Sequence, residues 1–365
     1  EVWRYAPLDG LDLDRYSVPD SPTASDGADD PLAADAWAHV VVVDGFLERV
    51  VGGGDGLTVS SATPGDPVVA DPDAFSLLSS AMAPATVTLE VAAGAALAAP
   101  IVVSQRVAGR SAFPRTRVAL GRGASATIVE HLVGGSDSLV APVIDVELGE
   151  GATLRLVTCQ RLDATAWHLG RSSAVLGEGA SLRQAVIGVG ARYDRSRNDT
   201  ELVGAGSQNE LRTTFLGSGD QVHDFRTHQV HRGPRSRSLL LSKGAVGDTS
   251  RSIYTGLIEI DKGARKTDAR QTNHNLLLSR HAHADSVPNL DIRENDVLCA
   301  HASTVGPLDD LQLWYLESRG VDPGRARELL LLGFFLEMLD DMPPSVARVV
   351  ESDVAATLAR VEVSW

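Results

Sequence analysis

The sequence predicts an all-β core, a parallel β-helix (β-solenoid), followed by a helical C-terminal domain. Three observations carry that reading. Four segments read alike: L-G-R-G-A-S-A-T-I-V from Leu120, L-G-E-G-A-T-L-R-L-V from Leu148, L-G-E-G-A-S-L-R-Q-A from Leu176 and V-G-A-G-S-Q-N-E-L-R from Val203. Their second glycines, Gly123, Gly151, Gly179 and Gly206, are 28, 28 and 27 residues apart. Around one such corner Val146, Leu148, Ala152, Leu154 and Leu156 alternate with period two, the signature of a strand buried on one face. The chain is also rich in glycine, with 34, and poor in rings, with 5% aromatic residues, which suits short strands and tight corners. A strand–corner–strand unit of this length cannot bury its own apolar face, but stacked copies can. An eight-fold α/β repeat would need a helix of ten or more residues in each unit, and no copy has period 3.6 over that length.

Taken in order, residues 1–84 form an entry region. Asp20 to Asp35 is polar and loop-like. Val40 to Val43, Asp44-Gly45 and Phe46 to Val50 predict a hairpin with a type I′ turn. Asp71 to Met82 predicts a short helix. The β-helix is expected over 85–306. Weaker copies of the repeat continue it through V-A-A-G-A at Gly94 and I-D-K-G-A at Gly263, with Gly233 between Gly206 and Gly263 in the same series. The helical domain is expected over 307–365. Leu308, Leu311, Trp314 and Tyr315 make one stripe, and Gly320 is a C-cap signal. Asp322-Pro323 opens a second helix, ended by Pro343-Pro344, and Ser345 to Arg360 is a third. These helices are expected to cap the last open turn of the solenoid, whose strand edge would otherwise invite aggregation. Leu329 to Phe335 is apolar almost all round and needs cover on several sides, part of it from another protein.

The totals narrow the function. A formal net charge of −15 argues against a global nucleic-acid or anionic-membrane surface. Two cysteines, Cys159 and Cys299, exclude a disulfide framework and fit free thiols in a reducing cytoplasm. The longest apolar run, Leu329 to Leu336, is too short to cross a bilayer. The chain does not begin with Met, and an N-terminal truncation is expected. The loop around Lys243, S-K-G-A-V-G-D-T-S, lacks the phosphate-loop order, and there is no nucleophile elbow, H-E-x-x-H or C-x-x-C. His223, His228, His231, His274, His281 and His283 match no standard ligand spacing and are expected to be surface or hydrogen-bonded structural residues, the alternative being a histidine-only metal site where two groups meet on neighbouring turns. Cys159 reads as core filler. Asp194 with Asp199, and Asp291 with Asp296, are the carboxylates a β-helix glycosidase or lyase would need, with no sign that they face one another.

D-V-L-C-A-H-A-S-T-V-G, Asp296 to Gly306, places Cys299 and His301 two apart, on one side of a strand. Packing, half of a metal site and a thiol activated by an adjacent imidazolium all remain open on these residues alone. Their position, on the last strands before the helices, is where an open edge would meet another chain.

The stretches S-K-G-A-V-G-D-T-S-R-S-I-Y-T-G-L-I-E-I, K-T-D-A-R-Q-T-N-H-N-L-L-L and D-S-V-P-N-L-D-I-R-E-N-D-V-L-C-A-H-A-S-T-V-G-P-L-D, then L-W-Y-L-E-S-R-G-V, closely resemble the SufB/SufD family of iron–sulfur cluster assembly proteins. The opening E-V-W-R-Y-A-P-L resembles it too. The resemblance is to the SufD branch: K-T-D-A-R-Q-T-N-H lacks the cysteine that SufB carries there. It implies a right-handed parallel β-helix and a non-catalytic scaffold subunit paired with a SufB-like subunit and a SufC-like ATPase. It implies that His301 and Cys299 are interfacial candidates for transient iron or a nascent cluster, with no stably bound cofactor. It implies that the C-terminal helices, through Leu311, Trp314, Tyr315, Leu329, Leu330, Phe334 and Phe335, dock the ATPase. A homodimer of the isolated chain is a further expectation. The alternatives are a purely structural stabiliser of its partners and a polysaccharide-active β-helix enzyme.

Overall fold

In a computed structural model, which describes residues 5–24, 30–65, 72–339 and 342–358, the chain forms a parallel β-solenoid of about eight turns with helices on its flank. Each turn contributes one strand to a ten-stranded sheet and one to an eleven-stranded sheet. Successive turns pair in parallel and in register: Leu154 sits beside Leu182, and Val146 lies between Val118 and Ala174. Alternate residues therefore stack in columns along the lumen. Leu120, Leu148, Leu176 and Leu202 form one such column and are all buried. Each fully buried aliphatic side chain contributes about 1.5–3 kcal/mol, which is how a fold with few rings holds together.

The glycine spacing has a backbone cause. Gly151, Gly179 and Gly206 have φ of 63, 62 and 68°, the left-handed conformation that turns the chain from one sheet to the other. Gly233 is not in this series. It stacks with Gly204, whose carbonyl would lie 2.3 Å from a Cβ at 233, so it belongs to the column of first glycines. Arg235 takes the left-handed position in that turn, with φ of 56°.

The stack begins before residue 85. Ala38–Val43 already pairs in parallel with Ile101–Val107. It also pairs antiparallel with Phe46–Gly52 through Asp44-Gly45, whose φ values of 51 and 94° are those of a type I′ turn. Helix α1 spans Ala74–Met82, with Asp73 as its N-cap; residue 71, where a helix start was expected, lies outside the described residues. Phe75 of α1 packs with Trp167, Leu169 and Tyr193, covering the outer face of the eleven-stranded sheet. The polar stretch at 20–35 is not all loop: residues 25–29 lie outside the described set, while Asp30 is buried and Leu32 joins a core cluster.

The C-terminal helices are α2 (Asp310–Ser318), α3 (Pro323–Leu339) and α4 (Pro344–Leu358). They do not cap the last turn. Leu331 and Phe335 of α3 and Val346, Val350 and Val354 of α4 pack with Val157, Cys159, Ala185, Ile187 and Ala245 on the outer face of the ten-stranded sheet. The reason lies in those outward positions. They are apolar where a solvated sheet would be polar, so they require a covering layer. Lys243 fastens α3 there: its Nζ is 2.7 Å from Glu337 Oε2, donates to the Phe334 carbonyl at 3.0 Å and stands 4.9 Å from the Phe334 ring centroid.

Candidate functional site

Because the helices lie on the flank, the C-terminal end of the stack is open. Among the described residues, Leu298–Gly306 pairs only with Asp268–Leu277, and His283–Ile292 only with Arg251–Ile260. Both last strands thus present an edge of backbone hydrogen-bonding groups. Cys299 and His301 stand in register with Ala269 and Gln271, two members of a buried inward column, so both side chains belong to the lumen face of the final rung. Cys299 is half-buried against Ile258, Ile260, Ala264 and Ala269, whereas His301 is exposed.

The floor beneath them is polar. Asn273 donates to Ser286 Oγ at 2.9 Å, and Ser303 donates to the same oxygen at 2.7 Å, linking the two sheets. Gln271, one rung below His301, has neither amide atom paired within the protein. It lies across the lumen over Gly256, where a Cβ would come within 2.4 Å of its Nε2. Leu298, Val305, Leu290 and Ile292 add exposed apolar surface around the opening.

The thiol is not activated in this setting. Burial, and then the nearby Asp268 carboxylate, raise the Cys299 pKa above the ordinary thiol value, opposite to the expectation of lowering by a neighbouring imidazolium. Among the described residues no group of three or more His, Cys, Asp or Glu side chains is placed to hold a metal ion. Cys299 and His301 are two donors on the lumen face at the open end of the stack, and a complete coordination sphere would need donors from outside the chain.

The expected helix residues divide. Leu311, Trp314 and Tyr315 of α2 are exposed, at 77%, 66% and 53%, and Leu329 of α3 is also exposed. Phe335 is not available to a partner: it is 3% exposed and belongs to the core between α3 and the sheet. Leu330 and Phe334 are half-buried against the same cluster. Leu336, 55% exposed, was missed by sequence reasoning because the run around it is uniformly apolar and has no face to read.

The other candidates are structural. His168 and His223 both bond Asp194, at 2.7 and 3.2 Å, and Asp199 is paired with Arg171 and Arg197. Burial lowers the His231 pKa to about 4, and its two ring nitrogens meet Ser236 and Ser238. His228 pairs with Glu259, His274 with Thr304 and Asp291 with Arg293. Among the described residues no helix is long and apolar enough to cross a membrane.

Fold and site together define a parallel β-solenoid with a covered flank and an uncapped C-terminal rung. The family described as SUF system FeS cluster assembly, SufBD core domain, matches residues 102–334. The iron–sulfur cluster assembly protein SufD of Escherichia coli is 28% identical over 359 residues, covering 93% of this chain and 84% of that protein. SufD of Bacillus subtilis is 31% identical over 223 residues, 60% of this chain and 51% of that protein. A SufBD family protein of Mycobacterium tuberculosis is 30% identical over 373 residues, covering 100% of this chain and 89% of that protein. The chain belongs to the SufBD family and is of the SufD type.

Proposed function

We propose that this chain is a non-catalytic scaffold subunit in iron–sulfur cluster assembly. It pairs through its open C-terminal rung with a SufB-like subunit and docks a SufC-like ATPase on α2 and α3. His301, with Cys299, is its half of an interfacial site for iron or a nascent cluster, which is cargo rather than a resident cofactor. The observation that supports this reading is the final rung: two strand edges with no partner among the described residues flank a thiol and an imidazole on the lumen face at the end of the stack. The exposed Leu311, Trp314 and Tyr315 support a second contact on the helices. Carboxylate catalysis on polysaccharides has no support, since Asp194 and Asp199 are buried in ion pairs.

The test is co-purification with SufB-like and SufC-like partners, followed by iron and sulfide counts. His301→Ala is expected to leave the complex intact and to lower bound iron and sulfide at least several-fold. An intact complex with unchanged iron and sulfide would favour the second reading, a purely structural stabiliser, to which the raised thiol pKa of Cys299 lends weight. Failure of the chain to bind either partner would reject both.

A further inference from the structure

The lumen holds a second polar centre, remote from the open rung. His168, Asp194 and His223 stand in register on three adjacent strands of the eleven-stranded sheet. Asp194 lies between the two imidazoles and accepts from each Nδ1. Burial alone would raise the Asp194 pKa, but hydrogen bonds from the two imidazoles outweigh it and hold the carboxyl below the usual carboxylate range, so each Nδ1 donates to it and His168 Nε2 is the atom left to face other groups. Glu130 comes from the ten-stranded sheet. Its Oε1 accepts from Gln105 Nε2 and Thr116 Oγ1, both at 3.1 Å.

Glu130 and His168 line one cavity of about 30 Å³, together with Thr158, Ser172, Ser196 and Asn198. Four polar atoms of these residues have no partner among the described residues: Glu130 Oε2, His168 Nε2, Ser172 Oγ and Asn198 Nδ2. Glu130, His168 and Asn198 are 2%, 3% and 2% exposed. Gly170 keeps the space open, because a Cβ there would lie 2.8 Å from His168 Nε2. Leaving four buried polar atoms unpaired would forfeit the hydration of each with nothing in return. A polar cavity of this size exceeds the ~10–15 Å³ one water requires, and it offers the two to four polar partners a water needs.

We propose that this cavity is a water-binding site, in which ordered water joins Glu130 Oε2 to His168 Nε2 and makes Glu130, His168, Asp194 and His223 one buried hydrogen-bonded line whose proton exchange with solvent is at Glu130. Its ligand class is a small neutral hydrogen-bond donor and acceptor. The charge balance supports this. Two carboxyls and two imidazoles meet at this level of the lumen, and the inward side chains beside them are neutral, namely Gln105, Thr116, Thr158, Gln184, Ser196, Asn198 and the Phe215 ring stacked on His223, while Arg171 and Arg197 also line the cavity. Arg171, Arg195 and Arg197 alternate to the outer face, where they meet Asp199 and Asp73. Burial raises the Glu130 pKa to about 7, against hydrogen bonds from Gln105 and Thr116 and the charge of His168.

A raised folded-state pKa means that stability is fully present below the unfolded value of 4.5 and is lost as pH rises through about 7. Glu130→Gln keeps the shape and removes the titration. The thermal midpoint of the unaltered chain is expected to fall by several degrees relative to Glu130→Gln between pH 5 and pH 8. A crystal structure of the unaltered chain is expected to show water within hydrogen-bond distance of Glu130 Oε2 and His168 Nε2. A dry cavity, a metal ion in place of water, or a midpoint difference that does not change with pH would overturn the proposal. Because the crystal structure needs no variant, poor folding of Glu130→Gln would not leave it untested.

Discussion

At the scale of single residues, the two cysteines show how position decides chemistry. Cys159 faces outward from its strand but lies beneath the helices; burial pushes its thiol up to about 12. Cys299 sits at the open rung, half-buried, with its pKa raised first by burial and then by Asp268. The thiolate is the reactive form, so reactivity follows access and charge. With a thiol-specific disulfide reagent at pH 8, the native chain is expected to release one equivalent slowly and the denatured chain two. Cys299→Ser is expected to abolish the native equivalent. Rapid release of two equivalents from the native chain would show that the helices do not seal Cys159.

At the scale of elements, α1 is held by one carboxylate with two tasks. Asp73 accepts from the Ser76 N–H at 2.9 Å as N-cap, and it pairs with Arg195 Nη1 at 2.7 Å, both side chains being buried. Burial alone would raise its pKa, but the Arg195 charge and the Ser76 hydrogen bonds outweigh that and hold it below the usual carboxylate value. Its contribution is therefore present above the unfolded pKa and is lost as pH falls through the lower folded value. Asp73→Ala removes both tasks and is expected to destabilise the chain by about 3–5 kcal/mol, as breaking a buried pair does. Asp73→Asn retains the cap, a feature that contributes about 1 kcal/mol, and is expected to cost less. Denaturant unfolding at neutral pH measures both, and equal losses would show that the cap contributes nothing. The same element-level view explains α3. Its run is apolar all round, but only the Ala326, Leu331, Phe335 and Met338 side faces the protein core, leaving Leu329 and Leu336 outside.

At the scale of the whole molecule, both flanks of the solenoid are covered, while the strands at each end of the stack, Phe46–Gly52 and Leu57–Ala62 at one and His283–Ile292 and Leu298–Gly306 at the other, have a single partner each among the described residues. The entry segment and α1 cover the eleven-stranded sheet, and α3 and α4 cover the ten-stranded one. The uncapped rung is where stacking continues if another chain supplies strands, since edges pair readily unless charge or shape prevents it. The isolated chain is expected to self-associate through this end, read as a concentration-dependent rise in mass by analytical ultracentrifugation. Ala302→Lys places a charge on the edge strand Leu298–Gly306 and is expected to return the chain to a monomer. Association unaffected by Ala302→Lys would assign it to another surface, such as the exposed face of α2.

What the sequence alone determined is periodic and local. Glycines with positive φ recur at nearly every turn, apolar residues alternate along the strands of the first repeats, and Cys299 and His301 fall on one face of the last strand; each signal depends on neighbours a few residues away. Only the tertiary structure decided which face the helices cover, because the apolar outward positions at Val157, Cys159 and Ala185 read in sequence like any other strand residues. It likewise separated Phe335, buried, from Trp314, exposed, within segments of similar composition. Glu130 and His168 line one cavity, and Asp30 meets His131 at 2.9 Å, across long stretches of chain. Such pairings arise when stacked turns bring distant residues into one lumen or onto one flank, and no local pattern encodes which polar residues will share a cavity.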